Sequence, residues 1–121
     1  MKTRWKLTVA AALALAAGAA AAGEADVVAL QVEPRAGAYT FHVTVRHDDT
    51  GWNHYADRWE VVAPDGTVIA TRTLHHPHVN EQPFRRSLSG VRPPAGVRWV
   101  TVRAHDSVHG FGGREVRVEL P

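Results

Sequence analysis

The chain has 121 residues and no cysteine, with 14 Lys and Arg, 12 Asp and Glu, and 8 His. Its formal net charge is +2, but three basic residues, Lys2, Arg4 and Lys6, lie at the amino terminus. All 12 acidic residues follow them, so the rest of the chain carries 11 − 12 = −1. Nucleic acid and anionic membranes are therefore not favoured as partners, because both require a concentrated basic surface.

The first 22 residues have the organisation of a secretory leader. A positively charged start precedes an apolar run from Leu7 to Ala17, and Ala20-Ala21-Ala22 supplies the small residues of a cleavage site. The apolar run is too short to span a membrane, and no cysteine is present to carry a lipid anchor. We predict a signal peptide over residues 1–22 and one periplasmic or secreted domain over 23–121, with no membrane insertion after leader removal.

Short stretches of alternating apolar and polar residues predict seven strands. The clearest stretch is 39–46, where Tyr39, Phe41 and Val43 alternate with polar residues. Pro64-Asp65-Gly66 predicts a tight hairpin turn, because proline presets φ and glycine accepts a positive one. The predicted strands lie at 25–33, 39–46, 59–63, 67–74, 84–91, 99–105 and 115–120.

Seven strands in one small domain predict an all-β, antiparallel, immunoglobulin-like β-sandwich. No disulfide is available, so the core must be held by apolar packing, with a bound ion as a further aid. The predicted core contains Phe41, Val43, Trp59, Val100, Val102 and Val118.

Three stretches in the last third of the chain support this fold by resemblance. They are Leu88-Ser89-Gly90-Val91-Arg92-Pro93-Pro94, then Val100-x-Val102-x-Ala104, then Gly110-x-Gly112-Gly113. Together they resemble the second half of a fibronectin type III or bacterial immunoglobulin-like module, which implies a β-sandwich. The chain also resembles uncharacterised secreted bacterial proteins, and that resemblance implies no function.

The histidines are concentrated in three of the predicted connections. If the strands are lettered A, B, C, C′, E, F and G, connections alternate between the two ends of the sandwich. The B–C, C′–E and F–G connections then share one end, which we call the histidine pole. It contains seven of the eight histidines: His47, His54, His75, His76, His78, His105 and His109. Loops at one end of a sandwich commonly carry function, so this segregation indicates a site.

Imidazoles close to carboxylates favour a divalent transition metal. The carboxylates are Asp48, Asp49, Glu81 and Asp106, and the ions that suit such donors are Zn(II), Cu(II) and Ni(II). Pro77 and Pro83 restrict the C′–E connection to extended backbone, so residues two apart share a face. The predicted metal ligands are His76 and His78, then His105 and His109, then His54. His47 and His75 are interpreted as supporting or unliganded residues.

Several other site chemistries are excluded. Residues 23–121 contain neither Cys nor Met, which excludes sulfur-ligated copper electron transfer. Cleavage after Ala22 would leave Gly23 first, so an amino-terminal histidine ligand is absent. No nucleophile-elbow pattern surrounds Ser87, Ser89 or Ser107, and no enzymatic activity is predicted from them.

Two alternatives to a metal site stay open. The histidines of the pole could be held only by hydrogen bonds, as a structural cluster. The same pole could instead bind a protein partner without metal, as an adhesion or protein-interaction module that uses Trp52, Tyr55 and Phe111. A metal-dependent enzyme is a further reading, and it would require an open coordination position.

Overall fold

The computed structural model describes residues 12–15 and 23–121, which form two antiparallel four-stranded sheets. The strands are β1 (Ala12–Leu15), β2 (Asp26–Arg35), β3 (Ala38–Arg46), β4 (Ala56–Val62), β5 (Val68–Thr73), β6 (Phe84–Val91), β7 (Trp99–Asp106) and β8 (Val116–Glu119). Within these residues there is no helix long and apolar enough to cross a membrane. The predicted all-β class is confirmed.

The sheets have the orders β1-β2-β3-β6 and β5-β4-β7-β8. In the first sheet, Phe41 of β3 lies opposite Val32 of β2. In the second, Val102 of β7 lies opposite Val61 of β4. Side chains from both sheets belong to one buried cluster, so the sheets pack as the two layers of a β-sandwich.

Apolar side chains from every long strand fill the space between the layers. Trp59, Phe41 and Phe84 are the largest side chains that are completely or almost completely buried. All six residues predicted for the core belong to this cluster. The domain therefore has the single apolar core that a chain without disulfides requires.

Strand β7 explains how an acidic residue comes to point inward. Its residues alternate strictly between buried and half-buried, with Val102 and Ala104 on the buried face. Two residues further along that face lies Asp106, which is completely buried. His105 lies between Ala104 and Asp106 and points to the other face of the sheet, because successive strand residues point to opposite faces.

All seven predicted strands are present, and the largest difference is in β4. The sequence pattern predicts its start at Trp59, whereas the strand begins at Ala56. Arg58 pairs with both neighbouring strands, and Asp57 lies at a register shift where its carbonyl accepts the N–H of Leu74, although their polar side chains conceal the strand pattern. The predicted hairpin turn is also present, and Gly66 donates its N–H to the Ala63 carbonyl at 2.9 Å.

Strand β1 lies inside the predicted leader. It pairs with β2 at the edge of the first sheet, with Ala12 opposite Val32. The remainder of the predicted leader, residues 1–11 and 16–22, lies outside the described residues. Removal of residues 1–22 therefore stays a prediction.

The three histidine-bearing connections contact one another at one end of the molecule. Tyr55 and Ser107 exchange hydrogen bonds between the segments 47–55 and 107–115. The Asp49 carboxylate accepts the N–H of His78, which joins 47–55 to 74–83. The predicted convergence of these connections at the histidine pole is confirmed.

Candidate metal centre

The segment between β3 and β4 brings two imidazoles together. Thr50 donates its N–H to the His54 carbonyl at 3.1 Å, and His54 donates to the Gly51 carbonyl at 3.1 Å. This narrow turn places the rings of His47 and His54 with their centroids 4.7 Å apart. The His47 ring is buried, whereas the His54 ring is about one quarter exposed. The pair therefore opens to solvent on the His54 side.

Asp106 supplies a carboxylate to the same place from the end of β7. Its Oδ1 accepts the N–H groups of Val108 at 2.8 Å and His109 at 2.6 Å. These bonds form a local turn of the kind that aspartate favours, and they fix the orientation of the carboxylate. His109 lies beside it, with Nδ1 at 3.3 Å from Asp106 Oδ2.

His47, His54 and Asp106 form the candidate centre. The two Nε2 atoms are 3.3 Å apart. His47 Nε2 lies 3.5 Å from Asp106 Oδ2, and His54 Nε2 lies 3.5 Å from Asp106 Oδ1. One ligand atom from each residue can be chosen so that all three lie within 4.8 Å of one another, so these residues could hold a metal ion. The carbonyl oxygen of Gly23 also approaches, 3.2 Å from His54 Nε2.

Asp49 orients the buried imidazole of His47. Its Oδ1 forms a short hydrogen bond with His47 Nδ1 and accepts the N–H of Ala56 at 3.1 Å. A carboxylate can only accept, so the proton lies on Nδ1 and the neutral ring presents the Nε2 lone pair to the centre. Metal-bound histidines are commonly held by a carboxylate in this way.

The ionisation of His47 reflects competing influences. Burial lowers its pKa, but the hydrogen bond to Asp49 and the negative charges of Asp49 and Asp106 outweigh burial, so the pKa is raised above 6.5. Nε2 therefore faces a place where a positive charge is stabilised. Either a proton on Nε2 or a metal ion beside it can supply that charge.

Both carboxylates are ionised in the folded protein at neutral pH. For Asp49, burial raises the pKa, but hydrogen bonds from His47, His78 and Ala56 outweigh it and lower the pKa below 3.8. For Asp106, burial also raises the pKa, and the N–H groups of His109 and Val108 contribute most to lowering it. Two buried negative charges lie on either side of His47, and buried charges require partners of opposite sign.

The five histidines predicted as metal ligands lie in three separate places. His54 and His109 lie at the centre, with their ring centroids 4.9 Å apart. His105 is on the other face of β7, where Nδ1 lies 2.6 Å from Asp57 Oδ1. His76 and His78 form a separate pair, with ring centroids 4.7 Å apart. The structure thus does not bring these five histidines around one point.

The His78 ring is buried against an aromatic side chain. It stacks on Phe84 with a centroid distance of 3.9 Å and an interplanar angle of 8°. Neither of its ring nitrogens has a hydrogen-bond partner among the described residues. Burial lowers its pKa below 6.5, and the positive charges of Arg86 and His76 lower it further. The neutral form is therefore favoured.

The sequence interpretation placed His47 among the supporting or unliganded residues, whereas the structure groups it with His54 and Asp106. Its signal was the spacing His47-Asp48-Asp49, which lets a carboxylate two residues later reach the ring of the histidine. The second signal was the spacing from Asp106 to His109, in which the aspartate accepts the histidine's own N–H. The sequence indicates both carboxylates as neighbours of the histidines, but spacing alone does not identify the ring that they contact.

Comparison with known proteins adds one relative. The chain is 40% identical over 97 residues to a protein of Halomicrobium mukohataei named "Putative lipoprotein", and the match covers 79% of this chain and 47% of that protein. The chain thus spans about half the length of this relative. No protein-family model and no solved structure matches the chain.

Proposed function

We propose that this protein is an exported β-sandwich that binds a divalent transition metal through His47, His54 and Asp106. The observation that carries the proposal is the spacing of their ligand atoms. A tetrahedral ion with ligand distances of about 2.0–2.2 Å requires ligand atoms roughly 3.3–3.6 Å apart. In the centre, the two Nε2 atoms are 3.3 Å apart, and each lies 3.5 Å from a different oxygen of Asp106. With one ligand atom from each residue, all three lie within 4.8 Å of one another, close to this spacing.

Charge supports the same proposal. Asp49 and Asp106 together carry two negative charges next to the imidazoles, and each is almost completely buried. A divalent cation would neutralise both, with Asp106 as a ligand and Asp49 acting through His47. A single proton on His47 would neutralise only one. A purely hydrogen-bonded cluster would need a second protonated imidazole beside Asp106, that of His54 or His109, to balance the same charge that one divalent ion balances.

The available donors limit the choice of ion. The centre offers imidazole nitrogens and a carboxylate oxygen, with Gly23 O and the partly exposed ring of His109 beside them. Imidazole together with oxygen suits Zn(II) and Cu(II) and does not favour Cu(I), which prefers sulfur. We propose Zn(II) or Cu(II). The function would be metal handling outside the cytoplasm, or stabilisation of the histidine pole by the ion.

Export is proposed on two grounds. The first 22 residues have the pattern of a signal peptide. The relative from Halomicrobium mukohataei is named as a lipoprotein, which is a class of exported proteins. We therefore place the mature domain, residues 23–121, in the periplasm or outside the cell.

An immunoglobulin-like topology is also proposed. If β2 to β8 are lettered A, B, C, C′, E, F and G, one sheet contains A-B-E and the other C′-C-F-G. That division and the short connections are those of fibronectin type III modules. In this topology the proposed centre lies among the loops that bind ligands in variable immunoglobulin domains.

Metal titration of the purified exported protein tests the proposal. We expect Zn(II) or Cu(II) to bind in calorimetry and to raise the melting temperature, since a ligand at 100 times its Kd adds about 2.7 kcal/mol of stability. His47→Gln should abolish both effects. His76→Gln is the matched control, because His76 is an exposed histidine of the same pole outside the centre.

The outcomes separate the rival ligand sets. Loss of binding in His47→Gln with retention in His76→Gln supports the proposed centre. The reverse result would favour the ligand set that the sequence interpretation preferred. No binding of either ion by the wild-type protein would leave the hydrogen-bonded cluster or the metal-free interaction module.

A further inference from the structure

The first residue of the predicted mature domain lies at the candidate metal centre. The carbonyl oxygen of Gly23 is 3.2 Å from His54 Nε2. Covalent bond lengths keep the nitrogen of a residue within about 3.6 Å of its own carbonyl oxygen. The Gly23 nitrogen therefore lies no more than about 7 Å from His54 Nε2.

Two features favour glycine at this position. Gly23 has φ of +78°, a left-handed conformation that other residues rarely adopt. A Cβ atom built there would lie 3.1 Å from Cε1 of His109. Glycine thus allows the main chain to approach the histidines more closely than a larger residue would.

The mature domain itself holds this segment in place. Asp26 Oδ1 accepts the N–H of Arg114 at 2.6 Å, and Val27 donates its N–H to the Arg114 carbonyl at 2.8 Å. Ala25 is completely buried. A Cβ on Gly113 would overlap the Ala25 carbonyl, so this close packing requires glycine. Residues 25–27 are therefore fixed by the segment before β8, and they restrict where Gly23 can lie.

We propose that leader cleavage after Ala22 creates a further metal ligand, the α-amino nitrogen of Gly23, at the centre formed by His47, His54 and Asp106. Hydrolysis of the Ala22–Gly23 peptide bond consumes one water and leaves a carboxylate on Ala22 and a free amine on Gly23. A peptide nitrogen has no available lone pair, whereas a deprotonated amine does. The amine and the Gly23 carbonyl oxygen can chelate one ion in a five-membered ring. The inference rests on the proposed metal-binding function.

The consequence is that processing and metal loading are coupled. Before cleavage the centre offers two imidazoles and a carboxylate, and after cleavage it gains a nitrogen donor. Imidazole, amine and carboxylate donors together suit Zn(II) and Cu(II). The unprocessed chain in the cytoplasm would then bind these ions more weakly than the exported protein.

The sequence makes the amine directly testable. Both lysines of the chain, Lys2 and Lys6, lie in the predicted leader, and residues 23–121 contain none. The α-amino group of Gly23 would therefore be the one primary amine of the processed protein. Acetylation with an amine-selective reagent, followed by hydroxylamine to reverse modification of histidine and tyrosine, would block that group alone.

The experiment expresses the full chain with its own leader, purifies the exported protein and identifies its amino terminus by mass spectrometry. Zn(II) and Cu(II) affinities are then measured before and after acetylation. We expect at least about tenfold weaker binding after acetylation, because even groups outside the ligand set contribute about 10- to 100-fold. Bound metal should also slow acetylation of wild-type protein, and this protection should be absent in His47→Gln.

Each result supports or overturns the inference. An amino terminus other than Gly23, or equal affinity before and after acetylation, overturns the amine ligand while leaving the proposed metal centre intact. Failure of the unmodified exported protein to bind either ion overturns both. Weaker binding after acetylation together with metal protection supports the amine as a ligand.

Discussion

Two groups of histidines at the same pole have opposite surroundings. His47 and His54 meet the Asp106 carboxylate, and His47 is also bound to Asp49. His78 is just as deeply buried, but its ring stacks on Phe84 and neither of its nitrogens is hydrogen-bonded within the described chain. Burial alone therefore does not determine what a histidine does in this domain. The carboxylates determine it.

The ionisation of the two groups follows from this difference. Burial lowers the pKa of both His47 and His78, but the carboxylates reverse the effect at His47 and raise its pKa. At His78 the positive charges of Arg86 and His76 outweigh the negative charges of Asp49 and Glu81, so they reinforce the effect of burial and lower the pKa. The first group is suited to a cation, whereas the second serves as part of the apolar packing around Phe84.

Asp49 contacts histidines of both groups, and we expect its removal to cause the largest loss in the free energy of unfolding. Its carboxylate holds the His47 ring and accepts the N–H groups of Ala56 and His78. Asp49→Ala leaves a buried histidine and two buried N–H groups without their acceptor. Breaking a buried ion pair costs about 3–5 kcal/mol. We expect a loss of this size in urea unfolding of metal-free protein.

Asp57→Ala is the matched control. Asp57 also pairs with a histidine, His105, but both side chains are partly exposed. Solvent screens such pairs, and we expect a loss of about 1 kcal/mol or less. Equal losses in the two variants would contradict the distinction between the buried centre and the outer face of β7.

A pH titration should sharpen the comparison between His47 and His78. The lowered pKa of His78 arises from burial and then from Arg86 and His76. As pH falls below 6.5, the unfolded chain takes up a proton at this histidine before the folded protein does. Stability is therefore lost as pH falls through the folded pKa of His78. His78→Phe removes this loss and keeps a ring against Phe84.

Unfolding free energies of metal-free wild type and His78→Phe between pH 5 and pH 7 provide the measurement. We expect the wild type to lose more stability than the variant on acidification. The raised pKa of His47 acts in the opposite direction: its contribution is present below 6.5 and is lost as pH rises through the folded pKa. A variant that loses as much stability as wild type on acidification would show that His78 does not titrate as described.

The fold could be predicted from the sequence because its strands show a regular alternation of apolar and polar residues. Alternation in β3 and β7 gave the layer and the face of each residue, and the predicted core is present. The start of β4 was missed because Asp57 and Arg58 are polar residues in a paired strand. Pairing with neighbours, and not side-chain character, extends the strand there.

The candidate site could be predicted from the sequence only in part. The common pole of the histidines followed from the alternation of connections, but the choice among seven rings did not. His76 and His78 lie side by side as expected of extended backbone, yet the His78 ring stacks on Phe84, and its Nδ1 is 3.9 Å from Asp49 Oδ2, too far for a hydrogen bond. His47 depends on Asp49 and Asp106, which are 2 and 59 residues away (49 − 47 and 106 − 47). The second separation can be recognised only in three dimensions.

The smallest effect is expected from Trp52, which lies in the turn between His47 and His54. Its side chain is 67% exposed and packs edge-on against Tyr55. Backbone hydrogen bonds between Thr50, Gly51 and His54 hold the turn, so the spacing of the two imidazoles does not depend on this ring. Trp52→Ala should therefore change stability by less than about 0.5 kcal/mol and leave Zn(II) or Cu(II) affinity unchanged, as measured by urea unfolding and calorimetry. A substantial loss of metal affinity would mean that the turn is held by Trp52 and Tyr55. The aromatic side chains would then organise the histidine pole, as the alternative of a protein-interaction module expects.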